Sequence, residues 1–176
     1  MKYFNGFSLI DEETSFKESI FFDILTPSDY TVIGFSYGAQ KAFEYAYESQ
    51  NRIEKLILLS PAFFQTQEKS FIRAQLRYFN AGKEAYVTQF LQNVASPSNH
   101  SLREYLNIGT QDELESLLTY VWDKTKIQTL LKRGTSIEVF LGTEDKIINS
   151  KEALAFFSQN CTTYSIKNVG HLLKEK

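Results

Sequence analysis

Three residues far apart in the chain are of types that do chemistry together: Ser36, Asp145 and His171. Ser36 lies in Gly34-Phe-Ser-Tyr-Gly38, which fits G-x-S-x-G. That pattern marks a sharp strand-to-helix turn with a strained serine at its apex. The crowding there leaves no room for a Cβ two residues before or after it. A serine hydroxyl is a weak nucleophile until a base takes its proton. His171, in Asn168-Val-Gly-His171, can take that proton and return it to a leaving alcohol. Asp145, in Gly142-Thr-Glu-Asp145, can orient the imidazole and stabilise its charged form. The chemistry available to such a set is acyl transfer.

G-x-S-x-G alone arises by chance in roughly 5% of chains this long, so its weight comes from its surroundings. His100, the other histidine, has no partner motif. Glu144 competes with Asp145, and the spacing from Gly142 selects Asp145. Cys161 falls at the start of a predicted strand, the wrong end of a sheet for catalysis, and reads as a small buried residue. Acyl chemistry also needs two N–H donors aimed at the developing oxyanion. The amide of Tyr37, next after the serine, is one. The loop Asn5-Gly-Phe-Ser8 offers the other, with Gly6 allowing close approach and Phe7 as the donor. Asn5-Gly6 is equally an ordinary turn signal.

These residues need elements to hold them. Lys2 to Phe4 reads as a short strand. Ser15-x-x-Glu18 has the form of a capping box, and Phe16, Ile20 and Ile24 recur as one helical face, so a helix is expected over 15–25. Tyr30 to Phe35 and Lys55 to Ser60 are apolar runs with little alternation, as in parallel strands covered on both faces. A helix from Gly38 to about Gln50 lies between them. From Ala62 to about Gly134 the alternation stops. Helices are expected over 68–80, around Tyr86 to Val94, and around Leu114 to Trp122. Ile137 to Gly142 resumes the sheet, a helix follows over Ser150 to Gln159, and Thr162 to Lys167 is the last strand. Ser36, Asp145 and His171 then all follow the carboxyl ends of strands, where open parallel sheets keep their working residues. The chain divides into a core, 1–61 and 134–176, and a helical insertion, 62–133. Over an active face that insertion would be a cap; it would equally serve as a structural subdomain.

The chain has 176 residues, 43% of them hydrophobic and 23% charged, with a net charge of −2. This is the composition of one globular domain with no charge signature for nucleic acid. A single cysteine excludes an intrachain disulfide framework and fits a reducing compartment. The N-terminal residues lack a signal-peptide core and no apolar run approaches a membrane span. The expectation is a cytoplasmic monomer with no membrane association, metal or cofactor.

In Gly34-Phe-Ser-Tyr-Gly38, Gly142-x-x-Asp145 and Gly170-His171 the chain resembles the α/β-hydrolase superfamily along its whole length, in the order Ser, Asp, His. Asn5-Gly-Phe-Ser8 is similar to the family's His-Gly-Trp/Phe oxyanion loop, with Asn5 in place of the histidine. Against the family pattern the chain is expected to lack the first two strands and the strand and helix before the nucleophile strand, with the closing helix missing or reduced to a single turn. The resemblance therefore implies a minimal α/β-hydrolase fold: a mainly parallel sheet of about five strands against the family's eight, in chain order, with helices on both faces and a helical cap.

The elbow Gly-Phe-Ser-Tyr-Gly-Ala39, the strand Lys55-Leu-Ile-Leu-Leu-Ser-Pro-Ala-Phe-Phe64 and the cap further resemble the small pimeloyl-acyl-carrier-protein methyl ester esterases of biotin synthesis. This implies a carboxylesterase whose partner is an acyl carrier protein bearing a pimeloyl methyl ester. Such a carrier is acidic. Residues 61–133 hold nine Lys and Arg against seven Asp and Glu, while the remainder holds ten against fourteen. Lys69, Arg73 and Arg77 recur at i, i+4, i+8, one helical stripe that suits an anionic partner, or a solvated helix face. Two other readings stand beside this one: a generalist carboxylesterase or thioesterase for free acyl compounds, and a catalytically dead hydrolase fold used for binding.

Overall fold

The computed structural model describes residues 1–17 and 28–176. Its centre is one all-parallel sheet of five strands: β1 (Lys2–Phe4), β2 (Thr31–Phe35), β3 (Lys55–Leu59), β4 (Ser136–Gly142) and β5 (Thr162–Ile166). They lie side by side in strict chain order. Every residue of β2 is buried, and so are four of the five in β3, which is why neither run alternates. The edge strands β1 and β5 contain no fully buried residue and carry Lys2, Thr162 and Ser165, exposed polar residues suited to an unpaired edge.

The sheet is covered on both faces. Register pairs Phe35 with Leu59, Leu59 with Phe140, and Phe140 with Tyr164, so these four share one face. Phe16, on α1 (Glu13–Lys17), packs on the Phe35 ring at 5.0 Å from that side. Gly34 points to the opposite face, where a Cβ would stand 2.3 Å from the Gly38 carbonyl oxygen. Helix α2 (Tyr37–Glu48) therefore lies on that second face. Its buried stripe, Ala39, Ala42, Phe43 and Ala46, has helical spacing and mostly small side chains, which lets the helix seat close to β2.

Between β3 and β4 the chain runs through α3 (Lys69–Ala81), α4 (Lys83–Ala95), a 3₁₀ turn at Arg103–Tyr105, α5 (Gln111–Thr119) and α6 (Lys124–Lys132); α7 (Ser150–Phe157) follows β4. The expected third helix, running to Trp122, ends at Thr119 instead, and a further helix outside the sequence-based expectations follows it. Tyr120 is extended, and Asp123 caps α6 by accepting from the amides of Thr125 and Lys126. Trp122 sits in the break. Its indole N–H donates to the Ala62 carbonyl at 3.0 Å, and its ring packs against Phe43 and Phe157. Glu44 of α2 accepts from Tyr120 and from Lys126, each at 2.6 Å. Gln40 donates to the carbonyls of Ala62 and Leu117. The excursion thus shares one continuous apolar core with the sheet.

The first helix begins at Glu13, so Ser15 lies inside it rather than capping it, and its hydroxyl meets His100 Nε2 at 3.2 Å. The helix is instead led in by a turn at Asp11, whose carbonyl accepts from the amide and the hydroxyl of Thr14. The rest of the helix expected over 15–25, with Glu18, Ile20 and Ile24, lies outside the described residues.

Candidate active site

Ser36 occupies the turn between β2 and α2 at φ 55°, ψ −114°, a backbone conformation costly for a residue with a Cβ. Packing enforces it. A Cβ on Gly38 would stand 2.0 Å from the Phe4 carbonyl oxygen, as one on Gly34 would meet Gly38, so only glycine fits on either side. Backbone bonds complete the turn: the Ser36 amide donates to Leu59 O, and the Ser36 carbonyl accepts from Ala39 and Ala62.

His171 follows β5. Its Nε2 stands 2.8 Å from Ser36 Oγ and its Nδ1 stands 2.6 Å from Asp145 Oδ2. The two side chains, His171 and Asp145, have no solvent exposure, and Ser36 is 2% exposed. The other oxygen of Asp145 accepts from the amides of Ile147 and Ile148 at 2.7 and 3.1 Å, which fixes the carboxylate's rotation. The glycines flanking these residues have a packing reason. A Cβ on Gly142 would stand 2.2 Å from Gly170 O, and one on Gly170 would stand 1.9 Å from Ser96 O. Their absence lets the loops after β4 and β5 touch, which brings acid and imidazole together. The Phe35 ring packs on the imidazole at 5.3 Å. Glu144 is exposed and has no part in this chain of bonds. His100 is engaged by Ser15 and Lys174, away from it.

The loop after β1 runs beside the elbow, since Gly38 contacts the carbonyls of Phe4 and Asn5. The amide of Phe7 has no hydrogen-bond partner among the described residues. Tyr37 opens α2, so its amide has no partner within the helix. The Gly6 amide, by contrast, donates to Glu12 Oε1 at 2.7 Å. Nothing in the sequence pointed to Glu12: it stands in Asp11-Glu-Glu13, an acidic run that reads as solvated surface, yet it is fully buried. Burial pushes its carboxyl above the ordinary value.

A cavity of about 440 Å³ lies between α3, α4, α5 and the loop after β4. Phe64, Phe71, Tyr86, Phe90, Leu117 and Ile147 give it largely apolar walls. Phe90 also meets the ring of Phe7 at 5.7 Å, which joins the cavity wall to the loop after β1. On α3, Phe71, Gln75 and Tyr78 face the cavity, while Lys69, Arg73 and Arg77 are exposed. Arg73 and Arg77 border a shallow surface groove with Ser70 and Ala74. Sequence periodicity located α3 and α4 but not the cavity, which needs the tertiary angle between them. Among the described residues no cluster of three or more His, Cys, Asp or Glu could hold a metal ion, and no helix is long and apolar enough to cross a membrane.

No family model and no curated protein matches this chain. Solved structures do. MGS-M2, an α/β-hydrolase enzyme from a Medee basin deep-sea metagenome library, superposes with a TM-score of 0.66 at 15% identity over 96% of this chain and 81% of its own. BioG from Haemophilus influenzae gives 0.59 at 12% identity over 97% of this chain and 87% of its own. Naproxen esterase from Bacillus subtilis gives 0.55 at 18% identity over 81% of this chain but 53% of its own, so the chain spans little more than half of that esterase. Together with the parallel sheet and its strand order, these likenesses show that the chain has an α/β-hydrolase fold.

Proposed function

We propose that the protein is a serine carboxylesterase, with Ser36 as nucleophile, His171 as base and Asp145 as the orienting acid. The observation that carries this reading is the unbroken, buried chain Ser36 Oγ–His171 Nε2 and His171 Nδ1–Asp145 Oδ2, at 2.8 and 2.6 Å. Ser36 attacks the ester carbonyl as Nε2 takes its proton. The amides of Phe7 and Tyr37 receive the oxyanion. Collapse expels the alcohol, protonated by His171, and leaves an acyl group on Ser36. Water, deprotonated by His171, then releases the acid. Asp145, held by two amides, keeps the Nδ1 proton in place throughout.

The substrate we propose is the methyl ester of a pimeloyl chain carried by acyl carrier protein. The sequence resemblance supports it, as do two structural features. The apolar cavity suits a hydrocarbon chain. The outer side of α3 presents Lys69, Arg73 and Arg77, none of which is paired with a carboxylate among the described residues, to an acidic carrier. In this reading residues 62–133 form the cap, and carrier and cap meet outside while the acyl end reaches Ser36 inside. The cavity alone supports a second reading, a generalist esterase or thioesterase for free acyl compounds.

Hydrolysis of pimeloyl-carrier methyl ester, measured beside p-nitrophenyl esters, separates the two. The carrier-linked ester is expected to be the better substrate by kcat/KM. Equal or better hydrolysis of free esters would favour the generalist. Ser36→Ala is expected to abolish hydrolysis and fluorophosphonate labelling with the fold intact; wild-type turnover in that variant would defeat the mechanism.

A further inference from the structure

We infer that Glu12 is a positioning residue for the oxyanion hole, resting on the serine-esterase reading above. Its carboxyl lies under the loop Asn5-Gly-Phe-Ser8 and is fully buried. Oε1 accepts from the Gly6 amide at 2.7 Å and from the Tyr3 hydroxyl at 3.1 Å. Those two donors come from β1 and from the turn that follows it, so one oxygen clamps both sides of the chain's exit from the sheet. Oε2 is equally buried and has no hydrogen-bond partner among the described residues.

A buried carboxyl with one oxygen unpartnered is an expensive way to satisfy one amide. What it achieves is orientation. With the Gly6 N–H turned into the protein, the next peptide, whose N–H belongs to Phe7, is free to face the other way. Ser8 holds φ 60° and Asp11 holds φ 57°, both strained for residues with side chains, so the loop needs an outside anchor to keep this shape. Without the acceptor, the buried Gly6 amide would have to turn toward another partner, and the Phe7 amide would turn with it. A misaimed oxyanion donor is felt in the transition state rather than in substrate binding. The orphan Oε2 defines the chemistry required: a single acceptor at Oε1, with a proton welcome on the other oxygen, where burial favours the neutral carboxyl. A primary amide meets that requirement, because its carbonyl oxygen can replace Oε1.

The test uses the full chain, a p-nitrophenyl ester, and a trifluoromethyl ketone, which forms a tetrahedral oxyanion on a serine nucleophile. Glu12→Met keeps the volume and removes the acceptor. It is expected to lower kcat at least tenfold with KM within about twofold, and to weaken ketone binding by the same factor as kcat/KM. Glu12→Gln is expected to stay within about threefold of wild type on all three measures. If Glu12→Met does not fold, Glu12→Asp serves, because the shorter arm withdraws Oε1 from Gly6; it should lose kcat in the same pattern. A folded Glu12→Met or Glu12→Asp with wild-type kcat and ketone affinity would overturn the inference, as would a rise in KM alone or a loss in Glu12→Gln as large as in Glu12→Met. A wild-type protein that neither cleaves esters nor binds the ketone would overturn the esterase reading and this inference with it. An active wild type with indifferent variants would overturn the inference alone.

Discussion

Gly38 and Phe4 touch backbone to backbone: a Cβ on Gly38 would stand 2.0 Å from the Phe4 carbonyl oxygen and 2.5 Å from that of Asn5. This single approach seats the start of α2 against the end of β1, and so sets the elbow beside the loop that carries Phe7. Gly38→Ala is expected to destabilise by about 3 kcal/mol or more, because backbone on both sides must move. Urea unfolding checks it. A loss under 1 kcal/mol would mean that the loop after β1 yields easily. Activity should then be the more sensitive readout.

Asp145 gives a sharper test of the triad than Ser36. Its Oδ1 is committed to two amides, so in Asp145→Asn the new carbonyl oxygen must stay there and the amide nitrogen must face His171 Nδ1. That drives the imidazole proton to Nε2, where it can no longer accept from Ser36. The expected loss is on the order of 10⁴ in kcat. Glu144→Gln, at an exposed carboxylate, is expected to stay within about twofold. Reversed results would transfer the acid's role to Glu144.

The stripe on α3 should matter only for a charged carrier. Arg73→Glu with Arg77→Glu is expected to lower kcat/KM for a carrier-linked ester at least tenfold, with the loss shrinking as salt rises. The same double variant should cleave a p-nitrophenyl ester almost as well as wild type, since both arginines are exposed on the side of α3 away from the cavity. Equal losses on both substrates would mean that the arginines support the helix itself. No loss on either would favour the generalist esterase.

Glu12 also makes stability depend on pH with a definite sign. Burial raises its folded-state value above the ordinary 4.5, with Asp11 pushing the same way and the Gly6 amide, its own amide and the Tyr3 hydroxyl opposing. The folded state therefore prefers the protonated carboxyl. The stability it contributes is complete below about pH 4.5 and is lost as pH rises through the raised folded value. Glu12→Gln, which mimics the protonated form, should raise Tm at pH 7 by more than it does at pH 4. An equal change at both pH values would show that ionising Glu12 costs nothing.

Most of the frame was legible because it obeys local rules. Unalternating apolar runs gave β2 and β3, helical patterns gave α2 and α3, and the spacing of Tyr86, Val87, Phe90, Leu91 and Val94 gave α4. The glycines at 34 and 38 marked the crowding at the elbow, whereas the contact between Gly142 and Gly170 appears only in the fold. Ser36, Asp145 and His171 could be picked out because each follows a strand end, and the structure brings all three within hydrogen-bond reach. What escaped depends on distance in space. The break at Tyr120 to Asp123 was hidden because Val121 and Trp122 continue the apolar spacing of α5; Trp122 is buried by Phe43 and Phe157, not by its own helix. Glu12 was hidden because an acid between two acids looks hydrated until a loop six residues earlier folds over it. The cap start of α1 failed for the reverse reason, a motif that matched at Ser15 while a turn at Asp11 had already begun the helix.

The strict chain order of the strands has a consequence for how the molecule comes together. β2 and β3 can meet after a short loop closes, and they include the elbow. β4 can join β3 only after residues 60–135 have been looped out, and β5 only after that. Loop-closure entropy grows slowly with length, but pairing over such separations is slow. The turn at Ser36 therefore belongs to the early-closing part of the chain, and Asp145 and His171 to the late part. Trp122, the one tryptophan, packs on α2 and α7 and reports the late step. On dilution from urea, helical circular dichroism should recover first, and esterase activity should return together with the Trp122 signal.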